Sequence, residues 1–457
     1  MLLVICSLLF VQYQGFSEKL EAGEGGFKYT QEIEITYRSG SLDIRQHFHS
    51  LSNQTIEITW PNLAVSADCF LDSETSCERL SEDKTKFKAA EGLNASLSYI
   101  IPLDGGLKSN QLLKEIFVTL ENGEASYTTV HIATDSEVKG QWITGLPLKG
   151  EQKLSLVNYS MFGGTGSISE IFWQSGELNV KKVKDSLSIY SQEALNPELV
   201  QQISNLKFLN EDHIAIVQGK NRSAVQGKRI LFVDNISMAS IGEQVLLSQV
   251  NNQYDLEGSP SWISEVMASF LTNSTIGSNK STAIVQNLSD KLSDSEKLHW
   301  VNKLKDLKGE EITAEKLDET LSAVFERSTE YFEMNAKTDQ VYPFLFTDER
   351  EVYVNSELNP EVKVIFKDGE VLYAIDPLLK GLGYQTSIGE NGYYVQNETQ
   401  NFRFPQNYGF YVSNNQRYNT ASEPLTIIAG NYYMEETWIQ RVFNVNIEKT
   451  ESAITIK

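Results

Sequence analysis

Basic residues are scarce in this sequence. It contains 39 Lys and Arg against 61 Asp and Glu, which gives a formal net charge of −22. Binding to a nucleic acid through its phosphates, or to an anionic lipid surface, needs a basic face, so we expect neither as a partner. Hydrophobic residues make up 40% and aromatic residues 10%, which excludes global disorder. At about 100–200 residues per domain, the length predicts two to four domains.

Long hydrophobic runs are missing as well, except at the N-terminus. The run from Leu2 to Val11 is too short to span a bilayer but is typical of the apolar part of an export signal. The basic residues that usually precede such a segment are absent. We predict that residues 1–24 are a signal or export segment. The protein is then extracytoplasmic, secreted or associated with the cell surface, and any membrane contact is made through this segment if it is not cleaved.

Cysteine is also scarce, with three residues in the chain. Cys6 is interpreted as part of the export segment rather than as a lipid-anchored cysteine, because Ile5 precedes it where a small residue is expected. Cys69 and Cys77 belong to the polar loop CFLDSETSC. In an exported protein, two cysteines that close a short loop predict a disulfide. A shared metal ion is the alternative, although no histidine is near and the spacing fits no zinc pattern.

The region 25–180 has the two-residue hydrophobic period of half-buried strands. Ile33, Ile35 and Tyr37 alternate with polar residues, and similar patterns follow along the region. The segments IFVTL and SYTTVHIA flank Asn122-Gly123, a pair that predicts a tight hairpin turn. We predict a β-sandwich-like N-terminal domain.

The region 181–340 mixes helical and strand patterns. The apolar runs HIAIVQG and RILFVDN predict paired strands. Leu317, Leu321, Val324 and Phe325 share a face of one predicted helix, with Thr313 as its N-cap. A mixed α and β middle domain is therefore predicted.

The last hundred residues contain an internal duplication with an offset of 61 positions. Residues 371–396 align with residues 432–456, and apolar positions coincide in helix and strand segments. Each copy predicts a short helix, a strand, a turn and a second strand. Coincidental α and β patterning is the alternative explanation, because the identity between the copies is low.

The segments YAIDPLLKGLGYQTS and YYMEETWIQRVFNVNIE, followed by the terminal AITIK, resemble the copper amine oxidase N-terminal-like domain. These repeats, also called the stalk domain, occur in exported proteins of Gram-positive bacteria. The resemblance covers residues 358–457 and implies an accessory module at the cell surface. It implies no copper chemistry, since the cofactor and metal ligands of amine oxidases belong to a different domain.

The segment from Pro260 to Leu271, which contains Trp262, Glu265 and Ala268, resembles the P-x-W-x-x-E-G-x-A helix of gluzincin metallopeptidases. In that family the glutamate is the third zinc ligand. The other two ligands are the histidines of HExxH on a preceding helix, and the glutamate of that motif is the general base.

At the corresponding interval upstream, this sequence has QVLLSQ, with Gln244 and Ser248 in place of the histidines and Val245 in place of the general base. Catalytic zinc needs three protein ligands and an open position for water, and only Glu265 remains. None of the five histidines stands in a HExxH arrangement. The resemblance therefore implies a peptidase-like domain that has lost its zinc site. An ordinary pair of amphipathic helices and a working metallopeptidase are the alternatives.

Two histidines outside this region could also bind a metal. His47 and His49 are two residues apart on a predicted strand and therefore share a face. A surface pair without a third ligand is the other interpretation. We predict no catalytic residues, metal ligands or cofactor.

The overall prediction is a multidomain α+β protein, with a β-sandwich-like N-terminal domain, a gluzincin-like α/β middle domain and a duplicated stalk-type tail. Its domains are predicted as follows: export segment 1–24, β-rich domain 25–180, gluzincin-like domain 181–340 and stalk-type domain 358–457. The predicted function is non-catalytic binding or scaffolding at the cell envelope, with a peptide, a protein or a cell-wall component as partner. The alternatives are an exported hydrolase (peptidase) with an unconventional active site and a purely structural spacer.

Overall fold

The computed structural model describes residues 26–457 except 39, 71–76, 90–94, 220–224, 407 and 429. The predicted export segment lies outside the described residues. The chain divides into two compact units, Met1–Gln249 and Val250–Lys457. Helices and strands occur in both, so the prediction of a multidomain protein with mixed α and β structure is confirmed. Within the described residues, no helix is both long enough and apolar enough to cross a membrane.

The strands described in the first unit are β1 (Phe27–Arg38), β2 (Ser41–His49), β3 (Thr55–Thr59), β4 (Val65–Phe70), β5 (Lys86–Lys88), β6 (Ala95–Pro102), β7 (Gln111–Lys114), β8 (Thr119–Leu120), β9 (Gly123–Asp135), β10 (Gln141–Thr144), β11 (Leu148–Lys153), β12 (Val157–Thr165), β13 (Glu170–Gln174), β14 (Asn179–Lys184), β15 (Leu187–Ser191), β16 (Ile214–Gln218) and β17 (Ile230–Val233). Helix α1 (Pro197–Ser204) follows β15, and α2 (Met238–Gln253) follows β17.

The N-terminal strands form a seven-stranded sheet of order β11-β12-β9-β1-β2-β6-β4 and two three-stranded sheets, β10-β13-β7 and β5-β3-β8. Alternation along β1 places Ile33 and Ile35 in the core and Glu34 in solvent, as the two-residue period predicts. One apolar core contains side chains from all three sheets. The predicted β-rich character of this region is therefore confirmed.

The predicted hairpin around Asn122-Gly123 is wrong. Asn122 has the positive φ of 57° that favours asparagine, but the two flanking strands do not pair with each other. Strand β8 pairs with β3, whereas β9 lies between β1 and β12. Because β9 already has a neighbour on each side, the short strand β8 joins another sheet.

Strands β14 to β17 form a sheet of that order, in which β15, β16 and β17 are parallel and β14 is antiparallel. The two apolar runs HIAIVQG and RILFVDN are thus paired strands, as predicted. Their side chains are buried on both faces, which explains why the runs are continuously apolar. Helix α2 contributes Ile241 and Val245 to the core on one face of this sheet.

The helices described in the second unit are α3 (Ser261–Thr272), α4 (Asn279–Lys291), α5 (Asp294–Asp306), α6 (Ala314–Phe325), α7 (Tyr331–Ala336), α8 (Ile375–Gly381) and α9 (Glu436–Phe443). Its strands are β18 (Phe346–Thr347), β19 (Glu351–Val354), β20 (Glu357–Leu358), β21 (Val364–Lys367), β22 (Glu370–Ala374), β23 (Gln385–Gly389), β24 (Gly392–Gln396), β25 (Asn401–Phe404), β26 (Phe410–Ser413), β27 (Gln416–Asn419), β28 (Leu425–Ile428), β29 (Asn431–Glu435), β30 (Ile447–Lys449) and β31 (Ala453–Ile456).

Helix α6 confirms the prediction made from its apolar period. The side chain of Thr313 caps its N-terminus by accepting a hydrogen bond from the backbone N–H of Lys316. Leu317, Leu321 and Val324 are buried on one face. Local spacing was sufficient here because the cap and the face are both encoded within the helix.

One order of elements occurs twice in the tail. The order strand, helix, strand, strand occurs as β22-α8-β23-β24 and again, at the predicted offset, as β29-α9-β30-β31. Strands β22 and β29 pair antiparallel, and the equivalent residues Tyr373 and Met434 lie opposite each other. Strands β22 and β29 are therefore related by a local two-fold axis through this residue pair.

Cys69 and Cys77 form a disulfide with their Cα atoms 5.6 Å apart, which confirms the predicted pairing. The link should stabilise the folded state by about 2–3 kcal/mol, because it restricts the unfolded chain. We expect C69S/C77S to lose that free energy of unfolding in urea titrations, and wild type with reductant to show the same loss. Two titratable thiols in this pair after denaturation without reductant would contradict the pairing.

Candidate functional site

The predicted remnants of a zinc site lie in both units. Gln244, Val245 and Ser248 are on α2 in the first unit, and Glu265 is on α3 in the second. Within the described part of the chain, no group of three or more His, Cys, Asp and Glu side chains is placed to hold a metal ion.

Val245 is completely buried, at 0% exposure, among Ile189, Ile216 and Leu231 of the parallel sheet. A general base must reach a water molecule or substrate, so this position serves packing. Gln244, the preceding residue, is only partly buried.

Ser248 is buried, and its hydroxyl donates a hydrogen bond to the backbone carbonyl of Lys228 at 2.8 Å. Lys228 belongs to the segment that enters β17. At the position where the family has its second histidine, this chain therefore ties α2 to the segment before the strand.

Glu265 is engaged within the second unit. One of its carboxylate oxygens accepts hydrogen bonds from the backbone N–H of Ser278 at 2.8 Å and from the Ser278 hydroxyl at 2.6 Å. Ser278 is the N-cap of α4. A Cβ atom at Gly277 would lie 2.5 Å from the same carboxylate, so only glycine allows this approach. Glu265 thus fixes the turn that begins α4.

Strand β17 is the last strand of its sheet in the described part of the chain, so no strand pairs with its outer edge there. The carbonyls of Arg229 and Val233 accept hydrogen bonds from Ala215 and Gly219, so these residues face the β16 side. The backbone groups of Ile230 and Phe232 consequently face the other edge, because successive residues of a strand alternate in direction. An edge of this kind is a template for pairing with another extended chain.

The side-chain amide of Gln226 occupies this edge at Phe232. Its Oε1 accepts a hydrogen bond from the Phe232 N–H at 2.7 Å, and its Nε2 donates one to the Phe232 carbonyl at 3.0 Å. An amide that accepts and donates in this way has the same hydrogen-bonding groups as a peptide of a neighbouring strand.

The edge groups of Ile230 are also occupied. Its carbonyl accepts a hydrogen bond from the N–H of Gly227 at 2.8 Å, and its N–H donates to Glu170 at 3.2 Å. A Cβ atom at position 227 would lie 2.6 Å from the Glu170 carboxylate, so glycine permits this contact. The chain segment before β17 therefore folds back and covers the outer edge of its own strand.

Buried charged groups anchor this segment. Glu170 is buried and also accepts the backbone N–H of Arg229 at 2.7 Å. The Arg229 guanidinium pairs with Asp212 at 2.9 Å and donates to the carbonyl of Thr165. Burial lowers the pKa of Arg229, and the nearby Asp212 and Glu170 oppose this effect. Within this segment, Gln226 is therefore the residue that binds the edge of β17 with its side chain and not with its backbone.

A serine–histidine pair lies in the same unit. The hydroxyl of Ser188 is 2.9 Å from Nε2 of His213, whose Nδ1 donates to the carbonyl of Gly145 at 3.0 Å. Both residues are buried, so a substrate cannot reach the hydroxyl. Burial lowers the pKa of His213 to about 4, which keeps the imidazole neutral. The pair is a structural hydrogen bond.

The second unit has an open cavity of about 410 Å³ where α2 ends and α3 begins. Asn251, in the last turn of α2, and Tyr254, just after that helix, line the cavity, and Ser261 and Ser264 line it from α3. The Ser264 hydroxyl donates to the backbone carbonyl of Ser261, so its hydrogen-bonding capacity is used locally.

His47 and His49 lie on the same face of β2, as predicted. Nδ1 of His47 is 2.9 Å from the Ser96 hydroxyl. The structure adds no third metal ligand to this pair, since no group of three or more His, Cys, Asp and Glu side chains among the described residues is placed to hold a metal ion.

Sequence reasoning located α2 and β17 but not the residue that covers the edge. Gln226 is one glutamine in a polar segment, and no motif marks it. Only the order of strands in the sheet reveals which backbone groups of β17 need a partner.

No family model and no curated protein matches the chain. The structure of an M1 zinc metallopeptidase from Deinococcus radiodurans matches with a TM-score of 0.39 and 9% identity, over 66% of this chain and 92% of that chain. Legionella pneumophila aminopeptidase A, in complex with aspartic acid, matches with a TM-score of 0.41 and 12% identity, over 75% of this chain and 52% of that chain. Because both TM-scores are low, we infer neither an activity nor a site from them.

Proposed function

We propose that this chain is an exported, non-catalytic binding protein of the cell envelope, whose peptidase-like middle region binds an extended peptide along the outer edge of β17, in place of the Gln226 side chain that now covers it at Phe232. The Gln226 amide carries this proposal, because it satisfies the Phe232 N–H and carbonyl as a bound peptide group would. A peptide that pairs with the edge would replace these two hydrogen bonds with its own backbone.

The non-catalytic part of the proposal rests on the residues that stand at the family's zinc positions. Gln and Ser are weak zinc ligands, since zinc prefers imidazole and thiolate. Ser248 is tied to Lys228, and Val245 is buried in the core. Glu265 is bound to Ser278. The polar groups of Ser248 and Glu265 therefore already hold the fold.

The envelope location rests on the disulfide between Cys69 and Cys77 and on the sequence resemblance of the tail to stalk domains. Disulfides persist in oxidising compartments outside the cytoplasm. In this proposal the tail is the accessory module and the middle region is the binding element.

Removing the Gln226 side chain should strengthen peptide binding. We expect Q226A to bind a fluorescein-labelled pool of random decapeptides about tenfold more tightly than wild type, as measured by fluorescence anisotropy. Two neutral hydrogen bonds that no longer compete at Phe232 account for a change of this size. Q226E should have an intermediate effect, because it keeps the acceptor for the Phe232 N–H but loses the donor.

The matched control is Q174A, which removes the same side chain from β13 in the same unit. Its affinity for the pool should equal that of wild type. Equal or weaker binding by Q226A would overturn the proposed binding edge. Peptides recovered intact after incubation with wild type are expected, whereas their cleavage would favour the hydrolase alternative.

A further inference from the structure

The segment between the two copies of the tail has an unusual composition. Residues 399–420 include six aromatic residues, five asparagines and three glutamines, but no Asp or Glu. An acid-free stretch of this length stands out in a chain with a net charge of −22. The segment forms β25, β26 and β27, which have no counterpart in the second copy. Residues 399–420 are therefore an insertion between the two copies, and the unusual composition is confined to this insertion.

Three of the aromatic rings form a row across these strands. Phe404 stacks with Tyr411 at 5.8 Å, and Tyr411 stacks with Tyr418 at 5.2 Å between ring centroids. Tyr411 and Tyr418 are paired directly across β26 and β27. Phe404 is buried in the core, whereas Tyr418 is 43% exposed. The row therefore leads from the core to the solvent.

The ring of Tyr418, at the outer end of the row, is exposed on one side. In the described part of the chain, β27 is the last strand of its sheet, so no strand covers the side of Tyr418 away from Tyr411. The Tyr418 hydroxyl donates to the side-chain oxygen of Gln416 at 3.0 Å, which orients the ring. Trp438 packs edge-on against Tyr411 and supports the row from α9.

We propose that this insertion binds a neutral oligosaccharide, with a pyranose ring stacked on Tyr418. A pyranose presents a face of C–H groups to an aromatic ring, while its hydroxyls need amide and hydroxyl partners. Tyrosine provides the aromatic ring for the C–H face. Asparagine and glutamine provide partners for the hydroxyls, since an amide both donates and accepts hydrogen bonds. This site is separate from the β17 edge and concerns a different class of ligand.

A single-stranded nucleic acid also stacks on aromatic rings, but the charges here do not favour it. Such sites combine stacking with a basic groove along the phosphates. The segment has two arginines and no lysine. The Arg417 guanidinium lies 3.8 Å from the centre of the Phe410 ring and is hydrogen-bonded to Asn419, so it is already engaged within the segment. Neutral sugars fit this surface better than phosphates do.

The test uses the full-length protein and three probes, cellohexaose, chitohexaose and mannohexaose, in isothermal titration calorimetry. We expect at least one hexasaccharide to bind, Y418A to weaken that binding at least tenfold, and Y418F to retain most of it. The matched control is Y127A, because Tyr127 has a similar exposure of 41% in the first unit. It should bind as wild type does.

The proposal is overturned if none of the three sugars binds, or if Y418A and wild type bind them equally. It is also overturned if a (dT)10 oligonucleotide binds with Tyr418 dependence and the sugars do not. Circular dichroism of Y418A establishes that the sheet is intact. Since Q226A and Y418A act on different ligands in different units, failure of one proposal is distinguishable from failure of the other.

Discussion

Replacing Val245 with glutamate should lower the free energy of unfolding of the first unit by about 3–5 kcal/mol. Val245 has no exposed surface and belongs to the same apolar core as Ile189, Ile216 and Leu231. A carboxyl group there either is buried with its charge or takes up a proton, and both cost free energy without a partner. Urea unfolding followed by circular dichroism measures the loss, and hydrogen exchange in β15 and β16 assigns it to this unit.

The adjacent substitution Q244E is the matched control. It also places a glutamate on α2, but at a partly exposed position, so we expect a change within about 0.5 kcal/mol. Equal stability of V245E and Q244E would mean that position 245 is open to solvent. The family's general base would then fit at this position, which would weaken the non-catalytic proposal.

Stability should depend on pH in opposite directions at two buried groups, His213 and Asp318. Burial lowers the pKa of His213 to about 4. The unfolded chain, in which the pKa of histidine is about 6.5, then binds the proton more readily than the folded protein. The stabilisation is therefore complete above about pH 6.5 and is lost as the pH falls towards 4, with a magnitude of about 2–3 kcal/mol.

Asp318 on α6 should behave in the opposite way. Burial raises the pKa of its carboxyl group to about 7, although the backbone N–H groups of Phe332 and Glu333 donate to it and oppose the rise. The folded protein holds the proton above the unfolded pKa of about 4. The stabilisation is therefore complete below about pH 4 and is lost as the pH rises through 7, by about 2–4 kcal/mol.

The measurement compares wild type with H213N and D318N in urea titrations between pH 4 and pH 8. The difference between wild type and each variant isolates the contribution of one group, because all other titrating residues are shared. The difference should grow with rising pH for H213N and shrink for D318N. Differences that stay constant with pH would show that these groups do not change protonation on unfolding.

Local sequence patterns predicted much of the secondary structure correctly. The period of two in β1 and the cap and apolar face of α6 are encoded within single elements. The duplication of the tail was predicted because the same local patterns follow one another twice in the sequence. The hairpin prediction was wrong because local patterns do not show which strands pair. Strand β9 has partners on both sides, so β8 pairs with β3 instead.

The sequence by itself determined that this protein has mixed α and β structure and no HExxH motif, and it predicted the pairing of Cys69 with Cys77. Composition, local period and spacing carry these properties, and none depends on the sheet order. Only the tertiary structure decided that Val245 is buried, that Ser248 and Glu265 bind neighbouring segments, and that Gln226 covers the edge of β17. The physical reason is that burial and hydrogen-bond partners depend on which strands and helices become neighbours. Contacts such as Glu170 with Arg229 join residues far apart in the chain, so no local pattern encodes them.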